Sequence, residues 1–188
     1  MTALEPLNIV RPLKLKVEDF LLLDGAGAFQ GYGKTELIDG AIVYTNAQHR
    51  PHARTKGALY DALRSALRDH SSGLEVLVEA TVSMPPHDAP EPDLIVTSEP
   101  DGEGPVPLAS VALIVEVADT TLANDLRTKS RRYAAHHVSE YWVADVEARI
   151  LHKMWEPSGE KYARADRLSF GQRIAAATIS GLEIDLPA

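Results

Sequence analysis

The chain has 188 residues, 45% of them hydrophobic, no cysteine and a net charge of −8. That length supports one domain with one sizeable core, and the lack of cysteine excludes disulfides, thiolate metal sites and cysteine nucleophiles and points to a reducing cytosol. The acidic balance excludes simple cationic binding to nucleic acid, no apolar run approaches the roughly 20 residues of a membrane span, and Met1 to Val10 lack the basic flank and apolar region of a secretion signal.

Val17 to Leu23 reads as a short helix that runs into Gly25-Ala26-Gly27. Thr35 to Asn46 holds two β-type runs around Asp39-Gly40, a strong hairpin signal. Pro51 to His70 places Leu59, Ala62, Leu63, Ala66 and Leu67 at helical spacing, with Gly73 just beyond. Leu74 to Val82 alternates as a half-buried strand, ended by Pro85 and Pro86. A short strand follows Pro92 over Asp93 to Val96, then an acidic, Pro/Gly-rich loop from Thr97 to Pro107.

Val111 to Val117 is nearly continuous in apolar residues, which predicts a central strand covered on both faces. Ala123 to His137 reads as a helix with Leu126, Ser130, Tyr133 and His137 on one stripe. Glu140 to Ala144 is the next strand, and Asp145 opens a turn. Arg149 to Trp155 and Lys161 to Ala165 form a further hairpin, and Ile174 to Leu186 shows apolar spots without a period. This order predicts an α/β (α+β) fold with one mixed β-sheet flanked by helices.

Charge is unevenly spread. Leu74 to Asp119 carries ten acidic residues and no Lys or Arg, whereas Arg50 to His70 carries five basic residues and Ala123 to His137 four. Such blocks arise from solvated helix faces beside an acidic loop, or from an acidic metal site flanked by basic helices.

Two carboxylates bear on that choice. Glu116 lies inside the apolar strand, where a charge is costly unless paired or coordinated. Asp93 opens the strand after Pro92. On neighbouring strands the two acids can converge at one strand end, and Mg²⁺ uses one or two carboxylates with water and substrate phosphate at its other positions. The competing reading makes Glu116 a strand-end glutamate that reaches solvent or an arginine, and Asp93 a turn residue. Lys129 shares a helix face with Asp125, Arg132 and His136. It is either half of a surface pair with Asp125 or the ammonium that orients water and balances charge in phosphoryl transfer. Glu36 at the hairpin and His52 in the first helical turn are weaker candidates. The histidines lack zinc-type spacing, and Gly25-Ala26-Gly27 lacks the lysine and strand context of a phosphate loop.

The motifs Thr35-Glu36-Leu37-Ile38-Asp39-Gly40, Pro51-His52, Pro92-Asp93, Val115-Glu116-Val117, Asp125-x-x-x-Lys129, Tyr133-Ala134 and Val138 to Asp145 resemble, in the same order, the Uma-two family within the PD-(D/E)xK nuclease superfamily. The resemblance covers roughly Lys34 to Arg149. It implies a restriction-endonuclease-like core, with 1–33 as an N-terminal helical extension and 150–188 as C-terminal strands of one domain. It implies an endonuclease that hydrolyses DNA with Mg²⁺ or Mn²⁺ held by Asp93 and Glu116. Lys129 and Glu36 complete the catalytic set, and His52 and Asp125 are candidate substrate contacts. The superfamily's usual lysine position, two residues after the second acid, holds Ala118, and Lys129 is its substitute. Ala41 stands where a further acid is often found after the Asp-Gly turn. A homodimer follows from the symmetry of duplex DNA. The alternative is a nuclease-fold protein that no longer cuts and serves as a nucleic-acid-binding or regulatory module.

Overall fold

The structure is a computed structural model that describes residues 12–45, 48–68, 70 and 72–186. Asn46 of the expected hairpin, Asp69 near the end of the expected second helix and the first eleven residues of the N-terminal extension lie outside the described residues. Helix α1 (Val17–Gly25) precedes the hairpin β1 (Lys34–Ile38) and β2 (Ala41–Thr45), and α2 (Arg50–Arg68) follows. Next come β3 (Glu75–Val78), β4 (Val82–Ser83), β5 (Leu94–Thr97), β6 (Val106–Pro107) and β7 (Val111–Ala118). A helical stretch connects to β8 (Glu140–Asp145). It comprises α3 (Leu122–Asn124), a π-helical turn (Asp125–Lys129) and α4 (Ser130–Ala135). The chain ends with β9 (Ile150–Ser158), β10 (Lys161–Ser169), β11 (Arg173–Ala175) and β12 (Glu183–Asp185).

Six strands form one mixed sheet in the order β10-β9-β8-β7-β5-β3. Only β7 and β8 pair in parallel, because the helical stretch carries the chain back between them; the other neighbours are antiparallel. The alternation of β7 divides the core. Leu113, Val115 and Val117 face Leu59, Leu63 and Leu67 of α2 and the C-terminal Ile174 and Ile184. Ile114 and Ala118 face Tyr133, Val138 and Tyr141. A strand covered on both faces is apolar throughout, as expected from Val111 to Val117.

Three elements differ from the sequence reading. The strand expected over Leu74 to Val82 breaks after Val78, where Glu79 turns to φ 51° and donates its N–H to the Asp93 carbonyl. Val82-Ser83 then leaves the large sheet and pairs in parallel with Val106-Pro107. The helix expected over Ala123 to His137 contains the π turn, which shifts the i+4 register, and it ends where His137 takes φ 61°. The late hairpin is longer than expected, with Ile150–Ser158 against Lys161–Ser169.

Glu140 is fully buried at the start of β8 and is more than a strand residue. Its carboxylate accepts the indole N–H of Trp142 at 2.7 Å, the backbone N–H groups of Ala177 and Thr178 at 2.8 Å, and the Thr178 hydroxyl at 2.9 Å. It therefore clasps the segment between β11 and β12 to the sheet. Truncation would strand several buried donors, each costing about 1–3 kcal/mol. Glu140→Ala should destabilise the fold by about 3 kcal/mol or more in urea unfolding. Glu140→Gln should also lose stability, because its NH₂ meets donors. A loss below about 1 kcal/mol for the alanine variant would remove the clasp from the account.

Candidate active site

Leu94 pairs with Val115 across antiparallel strands, so the next step of the register sets Asp93 opposite Glu116. Cross-strand partners share a face, and here it is the face of Ile95 and Ile114. Both carboxylates are buried and line one cleft of about 360 Å³ with Lys34, Glu36, His52 and Lys129. The site gathers one end of the sheet, the β1–β2 hairpin, the start of α2 and the π turn.

Asp93 is held from several sides. Its Oδ2 accepts the Val117 backbone N–H at 2.8 Å and lies 3.2 Å from His52 Nε2. Its Oδ1 accepts the Gln48 amide at 3.0 Å, with the ammonium groups of Lys56 and Lys34 at 3.5 and 3.9 Å. Burial alone would raise its pKa. The His52 contact, the Lys34 charge and the Val117 N–H outweigh burial and hold the carboxyl below the usual range. Asp93 is therefore ionised, and His52 Nε2 is the donor of their hydrogen bond. Asp93 thus fastens the end of β5 to β7 and to α2.

Glu116 behaves differently. Its Oε1 accepts Lys129 Nζ at 2.8 Å and the Tyr133 hydroxyl at 2.9 Å. Burial pushes its carboxyl up to about 7; Lys129 and Lys34 oppose the rise, and Asp93 and Asp125 add to it. Lys129 also donates to Glu36 Oε1 at 2.9 Å, and the same oxygen accepts the Glu91 N–H at 2.8 Å. Burial disfavours the ammonium, but Glu116 and Glu36 raise its pKa above the ordinary lysine value. One cation is shared by two acids, so Lys129 stays charged while burial pushes Glu116 toward its neutral form.

The candidate residues therefore come together. Glu36, which could have been an ordinary exposed strand residue, is 1% exposed, and His52 is buried rather than solvated. Asp125 and Lys129 do not form a surface pair. Asp125 is buried, and its Oδ2 accepts the Thr121 hydroxyl at 2.5 Å. The face expected to join Asp125, Lys129, Arg132 and His136 is split. Arg132 and His136 instead bind Asp88, whose Oδ1 also accepts the Asp39 N–H. Lys34, Gln48, Lys56 and Tyr133 were not singled out as site residues. Lys34 stands two residues before Glu36 on β1, and Lys56 four residues after His52 on α2, so strand and helix periodicity carried a signal for both.

Among the described residues no three His, Asp or Glu side chains converge as a ready-made ion cage. The donor set nevertheless suits a hard divalent cation. Glu116 Oε2, Glu36 Oε2 and Asp125 Oδ1 have no hydrogen-bond partner among the described residues, while the second oxygen of each carboxylate is held in place. Paired carboxylates with a neighbouring ammonium match a site that binds Mg²⁺ or Mn²⁺ through few protein ligands and leaves positions for water and phosphate.

The family model Uma2, described as "Putative restriction endonuclease", matches residues 17–187. A crystal structure described as "a putative nuclease belonging to DUF820 from Anabaena variabilis" has a similar fold. Its TM-score is 0.66 at 14% identity, over 91% of this chain and 94% of that one. No curated protein matches.

The raised Glu116 carboxyl sets a pH dependence. Its folded pKa of about 7 lies above the ordinary 4.5, so between those values the folded chain keeps a proton that the unfolded chain has lost. Stability from this group is therefore present below about 4.5 and falls as pH rises toward 7. Asp93 has a lowered pKa and acts in the acid range, outside that window. In metal-free protein, Glu116→Gln should gain on the unmutated chain by on the order of 2 kcal/mol between pH 5 and pH 8. Urea unfolding at both values checks this, and parallel pH curves would contradict the raised carboxyl.

Proposed function

The chain belongs to the Uma2 family of restriction-endonuclease-like nucleases, and from that premise we propose a divalent-metal-dependent endonuclease that hydrolyses phosphodiester bonds of DNA. One observation carries the reading: Asp93 and Glu116 face each other at one sheet end, and the buried ammonium of Lys129 lies 2.8 Å from Glu116 and 2.9 Å from Glu36. Asp93 and Glu116 would hold Mg²⁺ or Mn²⁺, with Glu36 as a further acid at the site. The ion, when bound, supplies positive charge that polarises a phosphoryl oxygen and acidifies water.

The chain's own residues provide the remainder. Asp93 is a permanent anion of fixed orientation, because Val117, Gln48 and His52 hold both of its oxygens. Lys129 reaches the site from the π turn, in the role of the lysine that Ala118 cannot fill. The Lys129 ammonium would exchange its contact with Glu116 for the attacking water or a non-bridging phosphate oxygen and donate to it. Glu36 holds the ammonium in place during this exchange. The water oxygen would bond to phosphorus as its proton passes to solvent, the bond to the leaving sugar oxygen would break as that oxygen takes a proton from solvent, and Lys129 would stabilise the negative charge that develops on the phosphoryl group. His52 and Asp125, which line the cleft, are the substrate contacts in this proposal.

Glu116→Gln tests this assignment. The amide keeps the size of the side chain and can accept the Tyr133 hydroxyl, and Lys129 retains Glu36 as a counter-ion. The fold should survive while Mn²⁺ binding weakens, because a neutral amide is a poor substitute for a carboxylate ligand. Nicking of supercoiled plasmid should fall by about a hundredfold or more. Unchanged nicking by a destabilised variant would make Glu116 structural. No nicking by the unmutated protein on any DNA would favour the non-cutting alternative.

A further inference from the structure

Tyr32 and Tyr44 form an exposed aromatic pair beside the cleft that the proposed chemistry does not use. Their side chains are 61% and 59% exposed, and their rings lie 5.6 Å apart, tilted at 57°. The pair is part of a contiguous exposed patch rather than a lone surface residue, since Ile42 and Val43 beside Tyr44 on β2 are also exposed. The pair belongs to the site's own wall. Tyr44 lines the cleft, and Tyr44 and Thr45 lie on β2 across from Thr35 and Lys34 of β1. Strand alternation places Tyr44 on the opposite face of the hairpin from Glu36, so its ring stands at the rim and not over the carboxylates. Rings tilted at 57° are not stacked on each other and leave faces open.

The charge of the chain indicates what such a platform is for. A protein with net charge −8 gains little from general attraction to phosphates, and two of the cations near the cleft, Lys34 and Lys56, are turned to Asp93. Binding of a polyanion at this cleft therefore needs a contribution that is not Coulombic. Stacking of bases on aromatic side chains supplies one and tolerates any sequence, because every base has a π-face. It also imposes a requirement: bases inside a duplex are stacked on one another and cannot present a face, whereas those of single strands, loops and frayed ends can.

We infer that Tyr44, backed by Tyr32, is a stacking platform for an unpaired nucleobase next to the cleaved phosphate, so that the substrate is single-stranded or locally unpaired nucleic acid. The inference rests on the nuclease reading and names the substrate class of that site. The rings select substrate and do not touch the reacting atoms.

Fluorescence anisotropy with a labelled twelve-residue oligothymidylate, an abasic strand of the same length and the corresponding duplex, all in chelator, tests the inference. Unmutated protein should bind the thymidylate more tightly than the abasic strand or the duplex. Tyr44→Ala should weaken thymidylate binding by about tenfold and leave the abasic strand unchanged, while Tyr44→Phe should behave as the unmutated chain. Tyr32→Ala should give a smaller loss in the same direction. Equal loss on the base-bearing and abasic strands, or no loss on either, would overturn the platform and leave the nuclease reading standing. Failure of the unmutated protein to bind or cut any of these strands, even with Mn²⁺ added, would overturn both. Sedimentation of each variant separates a further case: a dimer of the unmutated chain that Tyr44→Ala dissolves would assign the rings to a second copy and overturn the inference.

Discussion

The site is organised by one shared cation. The Lys129 ammonium is buried, and it binds Glu116 in the central strand and Glu36 in the hairpin. The hairpin packs through Leu37 in one core cluster, whereas β7 and the helical stretch share another. Removing the lysine would leave two buried carboxylates facing each other, which costs several kcal/mol. Keeping it confines three elements to a single relative placement. The π turn serves that requirement. Its wider register brings Asp125 and Lys129 inward together, while Arg132 on α4 and His136 just past its end reach the separate carboxylate of Asp88. Asp88 also holds the Asp39 backbone at the hairpin turn, so the same helical stretch fastens the hairpin at Glu36 and at its turn.

The two central acids sit a strand apart and are tuned in opposite directions. Asp93 receives a backbone N–H, an amide, an imidazole and two nearby ammonium groups, and it remains ionised. Glu116 has half of an ammonium and a phenol, and it is raised toward neutrality. Carboxylates with diverging environments are found where chemistry assigns them different tasks. Asp93 is a fixed anchor. Glu116 has charge that a second cation can recruit, because its other oxygen has no hydrogen-bond partner among the described residues.

Much of this arrangement was legible in the residues, for identifiable reasons. The apolar run of β7 announced a doubly covered strand and made Glu116 conspicuous, since desolvation leaves few explanations for an acid there. The Asp-Gly pair announced the hairpin because that turn needs residues that accept positive φ, as Asp39 and Gly40 do. The break at Glu79 was hidden because alternation in sequence continued through it, and the cause, a bond to the Asp93 carbonyl, is tertiary. The π turn was hidden for a related reason: α- and π-helical turns have the same composition, and the burial of Lys129 beside two acids is what selects the wider one. Glu140 looked like any strand-end glutamate. Its four donors come from residues 2 to 38 positions away, and no local pattern records them.

The location of the weak points follows from the chemistry. Away from the cleft the fold obeys simple rules: apolar faces meet, the sheet is covered, and the buried Glu140 carboxylate has every donor it needs. At the cleft those rules are relaxed together. Five acids line the cleft, and burial pushes the carboxyl of one of them, Glu116, up to about 7. A core designed only for stability would replace Glu36, Glu116 and Lys129 by apolar groups of similar volume, at little cost or with a gain. Two acids held on one captive ammonium, one of them with its carboxyl raised by burial, mark a place where the fold was not shaped for stability alone.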